Sequence, residues 1–321
     1  MRVAVLAVDG MFDSGLTAVL DVLATANALS GQAGLPAAPF EVTTVGAGTS
    51  VRTGHGLQLA TTAWPELDDD PARRPELAVM PAVGLRPPAE IVDVVRGHRF
   101  LTAITELAAA GAGLAGACSG TFFLAEAGVL DERTATTSWW LSPAFRARYP
   151  RVDLDDSRTL AIAGNVTTAG AAFAHIDLAL SLVHRSSPAL SELVSRYLVI
   201  GDRPSQAVAA APSLLATGDP TVAAFERYIR AHLAEAIGID TAARALGVSE
   251  RTLQRVTRAT LGMSPIRFVQ EVRLEQATVL LRTSTQTPAA IALAVGYQDV
   301  STLRTLIRRR RHTTLAALRR R

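Results

Sequence analysis

The 321-residue sequence predicts a mostly parallel α/β sheet followed by a separate all-helical domain, and three features lead to this expectation. Short apolar runs alternate with helical patterns through the first two thirds, which is typical of parallel strands covered by helices on both faces. The last third shows no strand pattern. Its charge also differs: residues 219–321 hold 17 Arg and 8 acidic residues (net +9), whereas residues 1–218 hold 15 Arg and 21 acidic residues (net −6).

The first two thirds predict a doubly wound, flavodoxin-like α/β domain over residues 1–202. The predicted strands are 3–8, 40–45, 77–80 and 114–117, and the predicted helices are 16–29, 89–96, 102–110, 119–127 and 171–183. The Pro-rich, acidic stretch 64–75 is expected to be a surface connection. Breaker residues then cluster around 201–206 and 216–220, which predicts a linker over 203–219.

Residues 220–321 predict an all-α domain, because helix-capping residues recur along it at short intervals. Pro follows three of these caps, at the first helical position, where its missing N–H costs nothing. The expected helices are 220–236, 241–246, 250–259, 265–282, 288–295 and 300–310, within a domain of about seven short helices. The expected caps are Asp219, Asp240, Ser249, Ser264, Thr287 and Asp299.

Composition excludes several classes of protein. A single cysteine, Cys118, excludes an intramolecular disulfide framework and a Cys-rich zinc site, and we expect no metal or cofactor. The N-terminal apolar run is too short for a signal peptide. The most apolar long stretch, 166–183, contains His175 and Asp177, which favours a buried helix over a membrane span. We therefore expect a cytoplasmic protein that does not enter a membrane.

Two segments of the basic domain resemble helix-turn-helix units, in which a second helix packs one side inward and presents the other to the major groove. They share a turn glycine, Gly247 in residues 242–256 and Gly296 in residues 291–307. Leu246, Val248, Leu253 and Val256 are expected to pack in the first, and Leu303, Leu306 and Ile307 in the second. The expected outward residues are Glu250, Arg251, Gln254, Arg255 and Arg258, then Ser301, Thr302, Arg304, Thr305 and Arg308.

The outward residues suit two kinds of DNA contact. Arginine reads guanine bidentately and glutamine reads adenine, whereas the arginines of 308–311 and 319–321 are better suited to phosphates. The domain resembles the AraC-type DNA-binding domain. This resemblance implies two recognition helices in successive major-groove segments. The matching motifs are LGVS at 246–249, RTLQR at 251–255, GMSP at 262–265, RLEQA at 273–277, IA at 291–292 and VGY at 295–297.

The second copy departs from the AraC pattern at two places. It has Leu303 and Ile307 where the family usually has Phe, and RHTTL at 311–315 where the family usually has a Gly-x-Ser-Pro turn. We therefore expect the second subdomain to be looser than the first, or to be held mainly by phosphate contacts.

Cys118 lies at a tight turn between a predicted strand and a predicted helix, which is the geometry of a nucleophile elbow. A helix N-terminus would favour its thiolate. The surrounding sequence resembles PfpI proteases and class I glutamine amidotransferases, in the version fused to AraC domains in GlxA-like transcriptional regulators. The motifs that carry this resemblance are CSG at 118–120, LAEAG at 124–128, DVL at 21–23, ATT at 135–137 with Trp139, and GNV at 164–166 with IDLAL at 176–180.

Catalysis by this thiol would need a base, normally histidine, within hydrogen-bond reach. Ser138 stands where the family often has that histidine, and Asp21 stands where related domains carry a glutamate that contacts the elbow cysteine. His175 lies in an apolar helix, which favours a core or pocket-lining role. Three interpretations of Cys118 stay open: a small buried side chain, the floor of a ligand pocket, which we favour, or a catalytic nucleophile.

The leading hypothesis is a sequence-specific DNA-binding transcriptional regulator controlled by a small molecule in a catalytically degenerate amidotransferase-like domain. The resemblance implies an amino-acid-like or other nitrogen-containing effector, a homodimer, RNA polymerase as a further partner, and a place on the bacterial nucleoid. The alternatives are a Cys118-dependent amidase or hydrolase with a nucleic-acid-localising domain, and a nonspecific nucleoid protein. The expected pocket residues are Cys118, Ser119, Asp21, Ala82, Gly84 and Ser138.

Overall fold

The computed structural model describes residues 1–35, 39–64, 73–84, 86–201 and 205–319. Contacts between residues divide the chain into two compact units, Met1–Gln206 and Ala207–Arg321. Each unit has its own buried apolar core. We therefore describe the two units separately.

The first unit is built on a seven-stranded sheet in the order β10, β11, β7, β6, β1, β2, β5. All neighbouring strands are parallel except β10 and β11, which are antiparallel. Two short pairs, β3 with β4 and β8 with β9, lie outside this sheet. The strands are β1 Arg2–Leu6, β2 Glu41–Gly46, β3 Ser50–Arg52, β4 Gln58–Ala60, β5 Thr62–Ala63, β6 Leu77–Met80, β7 Gly113–Ala117, β8 Thr134–Ala135, β9 Asp153–Leu154, β10 Leu160–Ala163 and β11 Val166–Ala169.

The helices of the first unit pack against this sheet or against one another. The helices are α1 Asp13–Leu29, α2 Pro88–Val95, α3 Phe100–Ala109, α4 Thr121–Glu126, α5 Ser142–Arg148, α6 His175–Ser186 and α7 Pro188–Tyr197. Strands β1, β6 and β7 are apolar along nearly their whole length, because parallel strands at the centre of a sheet are covered on both faces. The expected doubly wound, mostly parallel fold is confirmed.

The hairpin of β10 and β11 was not expected from the sequence. Gly164 and Asn165 form its two-residue turn, and Gly164 adopts a positive φ of 64°, which such turns require. The apolar character of residues 166–183 suggests a buried helix. Residues 166–169 instead form β11, the strand next to the edge strand β10. Helix α6 begins only at His175, after a short 3-10 turn at Ala172–Ala174.

The described part of the expected linker has regular structure. Residues Gln206–Ala209 form a short helix, α8, and residues Pro212–Gly218 form a 3-10 helix. Residues 203 and 204 at its start lie outside the described residues, as do residues 65–72 of the expected surface connection. The division between the two units falls between Gln206 and Ala207, within α8.

The second unit contains helices joined by turns and no strand within its described residues, 207–319. Asp219, Ser249, Ser264, Thr287 and Asp299 each accept a hydrogen bond from a backbone N–H of the helix that follows, as expected of N-caps. Its helices after α8 are α9 Pro220–Ala231, α10 Ile239–Ala245, α11 Glu250–Leu261, α12 Pro265–Thr283, α13 Pro288–Ala294, α14 Val300–Arg311 and α15 Leu315–Arg319.

Asp240 is the one expected cap that the structure contradicts. Helix α10 begins earlier, at Ile239, so Asp240 lies in its first turn and the cap position falls on Gly238. The Asp240 carboxylate instead accepts a hydrogen bond from Arg244 at 2.9 Å. No helix in the described ranges of the chain is long and apolar enough to cross a membrane.

Candidate ligand site and DNA-binding surface

Cys118 forms a sharp elbow at the carboxyl end of β7. Its φ of 54° is unusual for a residue with a side chain, and the 3-10 turn Cys118–Gly120 leads directly into α4. The turn fits because Gly120 has no side chain: an added Cβ would lie 2.2 Å from the carbonyl oxygen of Met80. The expected elbow is thus present, with Cys118 where parallel strands of an open sheet end.

The thiol of Cys118 is buried and hydrogen-bonded. Only 4% of the residue is exposed, and the hydroxyl of Ser138 donates to Sγ at 2.8 Å. That hydroxyl accepts in turn from the backbone N–H of Ala171 at 3.1 Å. Burial raises the pKa of the Cys118 thiol, although the hydrogen bond from Ser138 opposes this shift. The protonated thiol therefore dominates near neutral pH.

His175 has both ring nitrogens engaged by backbone groups. Nδ1 lies 2.5 Å from the carbonyl oxygen of Ala172, to which it donates, and Nε2 accepts from the N–H of Ala82 at 3.1 Å. Burial lowers the pKa of His175 to about 4, so the ring is neutral. Gly15 on α1 makes room for it, because an added Cβ would lie 2.7 Å from the ring. His175 is thus a buried structural residue in this arrangement.

The loop that follows β6 carries the expected pocket residues Ala82 and Gly84 and packs against Ser119 of the elbow. The hydroxyl of Ser119 donates to the carbonyl oxygen of Val83 at 2.8 Å. The N–H of Gly84 donates to the carbonyl oxygen of Gly10 at 2.9 Å, which ties this loop to the one after β1. These contacts place the expected pocket residues other than Asp21 around one edge of the sheet.

The structure places Asp21 elsewhere. Its side chain lies on the exposed face of α1, whereas the buried face carries Gly15, Leu16, Val19 and Val22 among others. Successive helical residues are separated by about 100°, so the residue turned toward His175 is Gly15. The expectation that Asp21 lines the pocket is therefore wrong.

The first helix-turn-helix unit has the expected division between packed and exposed residues. Gly247 forms the turn with a φ of 69°, Leu253 is buried, and Leu246, Val248 and Val256 pack around the same core. Gln254 donates to the carboxylate of Glu250 at 2.8 Å across one turn of α11. The expected outward residues are all exposed: Glu250, Arg251, Gln254, Arg255 and Arg258.

The second helix-turn-helix unit repeats this arrangement on α14. Leu303 and Ile307 are buried, and Asp299 caps the helix. Hydrogen bonds from Ser301 and Thr302 lower the pKa of Asp299 to about 2. A groove of about 540 Å³ is lined by Arg304, Arg308 and Arg319 together with Pro288, Thr313, Thr314, Leu315 and Ala316. The expected outward residues are all exposed: Ser301, Thr302, Arg304, Thr305 and Arg308.

Arg311 does not belong to the expected phosphate-binding tail. Its side chain is only 4% exposed and contacts the buried carboxylate of Glu271 on α12 at 2.7 Å. Sequence reasoning missed the burial of Arg311 because four consecutive arginines, at 308–311, do not differ in type between the inward and outward positions of the helix. Residues 320 and 321 of the expected tail lie outside the described residues.

The turn after α14 has the same conformation as the turn after α11, although its sequence differs. His312 adopts a left-handed φ of 48°, as Gly262 does with 67°. The hydroxyl of Thr314 accepts from the N–H of Ala317, as that of Ser264 accepts from Arg267. The two turns thus share one backbone conformation, and the looseness expected of the second subdomain stays a prediction.

Comparisons with known proteins match the two compact units of the chain to two different families. Residues 1–185 match the DJ-1/PfpI family, and residues 242–321 match a helix-turn-helix domain family. The chain belongs to the DJ-1/PfpI family. The expected combination of a PfpI-type domain with an AraC-type helix-turn-helix domain is confirmed.

Relatives of this DJ-1/PfpI chain are named as transcriptional regulators. This chain is 29% identical over 210 residues to the HTH-type transcriptional regulator GbdR of Pseudomonas aeruginosa. The match covers 64% of this chain and 56% of GbdR. It is 26% identical over 238 residues to the HTH-type transcriptional regulator GlxA of Rhizobium meliloti, covering 73% of this chain and 72% of GlxA. The chain thus spans little more than half the length of GbdR.

Solved structures resemble the DJ-1/PfpI domain. An AraC family transcriptional regulator from Pseudomonas putida is 25% identical, with a TM-score of 0.50 over 61% of this chain and 98% of the other. DJ-1beta from Drosophila melanogaster is 18% identical, with a TM-score of 0.50 over 63% of this chain and 98% of the other. The second similarity concerns the fold alone.

Gln206 lies beside the candidate site of the DJ-1/PfpI domain, and sequence reasoning missed it. Its side chain is buried beside the segment that carries Ser138 and hydrogen-bonds to Thr136, Thr137 and Trp139. It lies in a stretch of breaker residues, far along the chain from its partners, so no local pattern marks it. Only the spatial arrangement shows that it contacts the segment that carries Ser138.

Proposed function

We propose that this protein is a sequence-specific DNA-binding transcriptional regulator whose DJ-1/PfpI domain binds a small effector without chemical turnover. The observation that carries the proposal is the state of the elbow. Cys118 is buried with a raised pKa, and His175 has both ring nitrogens engaged by the backbone. A thiol without an available base is a weak nucleophile.

The helix-turn-helix domain supports the DNA-binding half of the proposal. Helix α11 presents Arg251, Gln254 and Arg255 on one exposed face, a set that reads base edges. Helix α14 presents Arg304 and Arg308 beside an open groove, which suits contacts to phosphates. Base reading and backbone anchoring are thus assigned to different arginines.

The effector site of this proposal lies at the carboxyl ends of β6 and β7, where open α/β sheets bind their ligands. Cys118, Ser138 and the loop at 82–84 surround this edge. We propose an amino-acid-like or other nitrogen-containing effector, a homodimer that contacts RNA polymerase, and a cytoplasmic location on the nucleoid. Binding would act by favouring one arrangement of the DNA-binding domains over another.

A footprint and gel-shift series on promoter DNA tests the DNA-binding half. Arg251→Ala, Gln254→Ala and Arg255→Ala should each lower the affinity for the preferred sequence by about 1–3 kcal/mol. Arg196→Ala, an exposed arginine of the first unit, is the matched control and should leave the affinity unchanged. Binding without sequence preference, with only a steep salt dependence, would instead identify a nonspecific nucleoid protein.

The reactivity of Cys118 tests the claim that the domain performs no catalysis. Because burial raises the pKa of this thiol, alkylation by iodoacetamide should be slow at pH 6 and should accelerate on unfolding. Ser138→Ala removes the hydrogen bond that favours the thiolate and should slow alkylation further. Rapid alkylation at pH 6, with turnover of an amide that Cys118→Ala abolishes, would establish the rival function of a cysteine amidase.

A further inference from the structure

We propose that residues 136–139 and the carbonyl of Arg158 form a carboxamide-binding subsite, which Gln206 of the same chain fills and which an effector bearing a primary carboxamide takes over. The subsite itself follows from the contacts of Gln206. Its use by an effector rests on the proposed function of the protein as a ligand-responsive regulator.

The subsite matches both ends of a carboxamide. The Nε2 group of Gln206 donates to the carbonyl oxygens of Thr137 at 2.9 Å and Arg158 at 2.8 Å, and lies 3.1 Å from the hydroxyl of Thr136. The backbone N–H of Trp139 donates to Oε1 at 3.2 Å. The side chain therefore has partners for its donor and for its acceptor, in a position that is 4% exposed.

These partners discriminate against a carboxylate. Both carbonyl oxygens are acceptors only, so a carboxylate oxygen in place of Nε2 would face two acceptors with no hydrogen to share. Buried polar groups that are left without hydrogen-bond partners strongly disfavour binding. The chemistry of the subsite thus selects a primary amide over the acid of the same shape.

Gly170, at the end of β11, leaves the space that the carboxamide fills. A Cβ added to Gly170 would lie 2.2 Å from Nε2 of Gln206, so any side chain at this position would exclude the amide. The next residue, Ala171, donates its N–H to the hydroxyl of Ser138, which contacts Cys118. The subsite therefore borders the elbow directly.

The position of Gln206 in the chain connects this subsite with the second unit. Gln206 is the last residue of the first unit, and Val208, two residues later, is buried in the apolar core of the second. Because the amide of Gln206 is held in place by its own chain, an effector must add contacts of its own in order to displace it. Displacement would release the side chain of Gln206, the residue at the boundary between the two units.

Chemical rescue of the full-length protein tests the subsite. Gln206→Ala retains Cβ and removes the equivalent of acetamide, so acetamide is the probe and acetate is the matched acid. The variant should lower the Tm of the first unit by about 2–10 °C. Millimolar acetamide should restore the Tm in a saturable manner and acetate should not, while the unsubstituted protein should respond to neither.

Gly170→Ala is the second variant, because its Cβ excludes Gln206 and acetamide alike; its Tm should fall and acetamide should not restore it. If Gln206→Ala folds only when acetamide is present, the proposal also holds. Equal rescue by acetate, rescue of Gly170→Ala, or an unchanged Tm in Gln206→Ala would overturn it. None of these measurements involves DNA, so they do not depend on whether the protein regulates transcription.

Discussion

The guanidinium of Arg311 contacts the carboxylate of Glu271 at 2.7 Å, and both side chains are more than 90% buried. The pair joins the end of α14 to the long helix α12. Arg311 occupies the place that Leu261 has in the first helix-turn-helix unit, directly before the left-handed turn residue. In the second helix-turn-helix unit an ion pair thus fills the buried position that an apolar side chain fills in the first helix-turn-helix unit.

Arg311→Met should destabilise the second unit by about 3–5 kcal/mol, because it leaves Glu271 charged and buried without a partner. The double variant with Glu271→Leu should recover most of that stability, since replacing both charges by apolar groups removes the desolvation cost. Urea unfolding of the full chain measures both effects. The exposed neighbour provides the control, and Arg309→Met should change the stability by less than about 0.5 kcal/mol.

His175 should make the stability of the first unit depend on pH. Its pKa is lowered from 6.5 to about 4 by burial, so the unfolded chain binds a proton more readily than the folded one. The contribution is complete above pH 6.5 and is lost as the pH falls toward 4, by about 3 kcal/mol in total. His175→Gln should flatten this part of the stability profile. An equal pH slope in the variant would show that other groups cause it.

The turn glycines of the two helix-turn-helix units should differ in their tolerance of a side chain. Both have a positive φ, 69° for Gly247 and 81° for Gly296. A Cβ on Gly247 would meet nothing within 4 Å, whereas one on Gly296 would lie 2.3 Å from the carbonyl oxygen of Leu233. Gly247→Ala should therefore cost about 1 kcal/mol from backbone strain, and Gly296→Ala at least about 3 kcal/mol. Similar decreases in Tm for both variants would contradict this.

Arg308 should bind a DNA phosphate. It is exposed beside the groove of α14, so Arg308→Ala should weaken binding to all DNA sequences alike. The slope of log K against log salt concentration should become shallower by about 0.9 for each phosphate that the variant no longer neutralises. Arg196→Ala in the first unit serves again as the control. Weaker binding to one DNA sequence alone would assign Arg308 to base reading instead.

Signals that act over a few residues were read correctly from the sequence. The apolar run at 3–8 predicted β1, and Ser249 and Asp299 predicted the starts of α11 and α14, because a capping side chain bonds to N–H groups only two or three residues away. The same local chemistry gave a wrong cap at Asp240, because an acidic residue suits the first turn of a helix as well as its cap position.

Contacts between distant parts of the chain were not visible in the sequence. Gln206 contacts residues about seventy positions earlier, and Arg311 pairs with Glu271 forty positions earlier. The analogy with a carboxylate in related domains points to Asp21, but the face of α1 that packs inward is set by helical phase. Only burial in three dimensions distinguishes Gly15, which faces His175, from Asp21, which faces solvent.

The two-residue interval between Gln206 and Val208 decides where this protein can be divided for separate study. A fragment that ends at residue 202, the expected domain end, would lack the amide that satisfies the carbonyls of Thr137 and Arg158. A fragment that begins at residue 220 would lack Val208 in the other core. Measurements on a fragment that stops short of Gln206 would thus concern a first unit that has lost these buried hydrogen bonds.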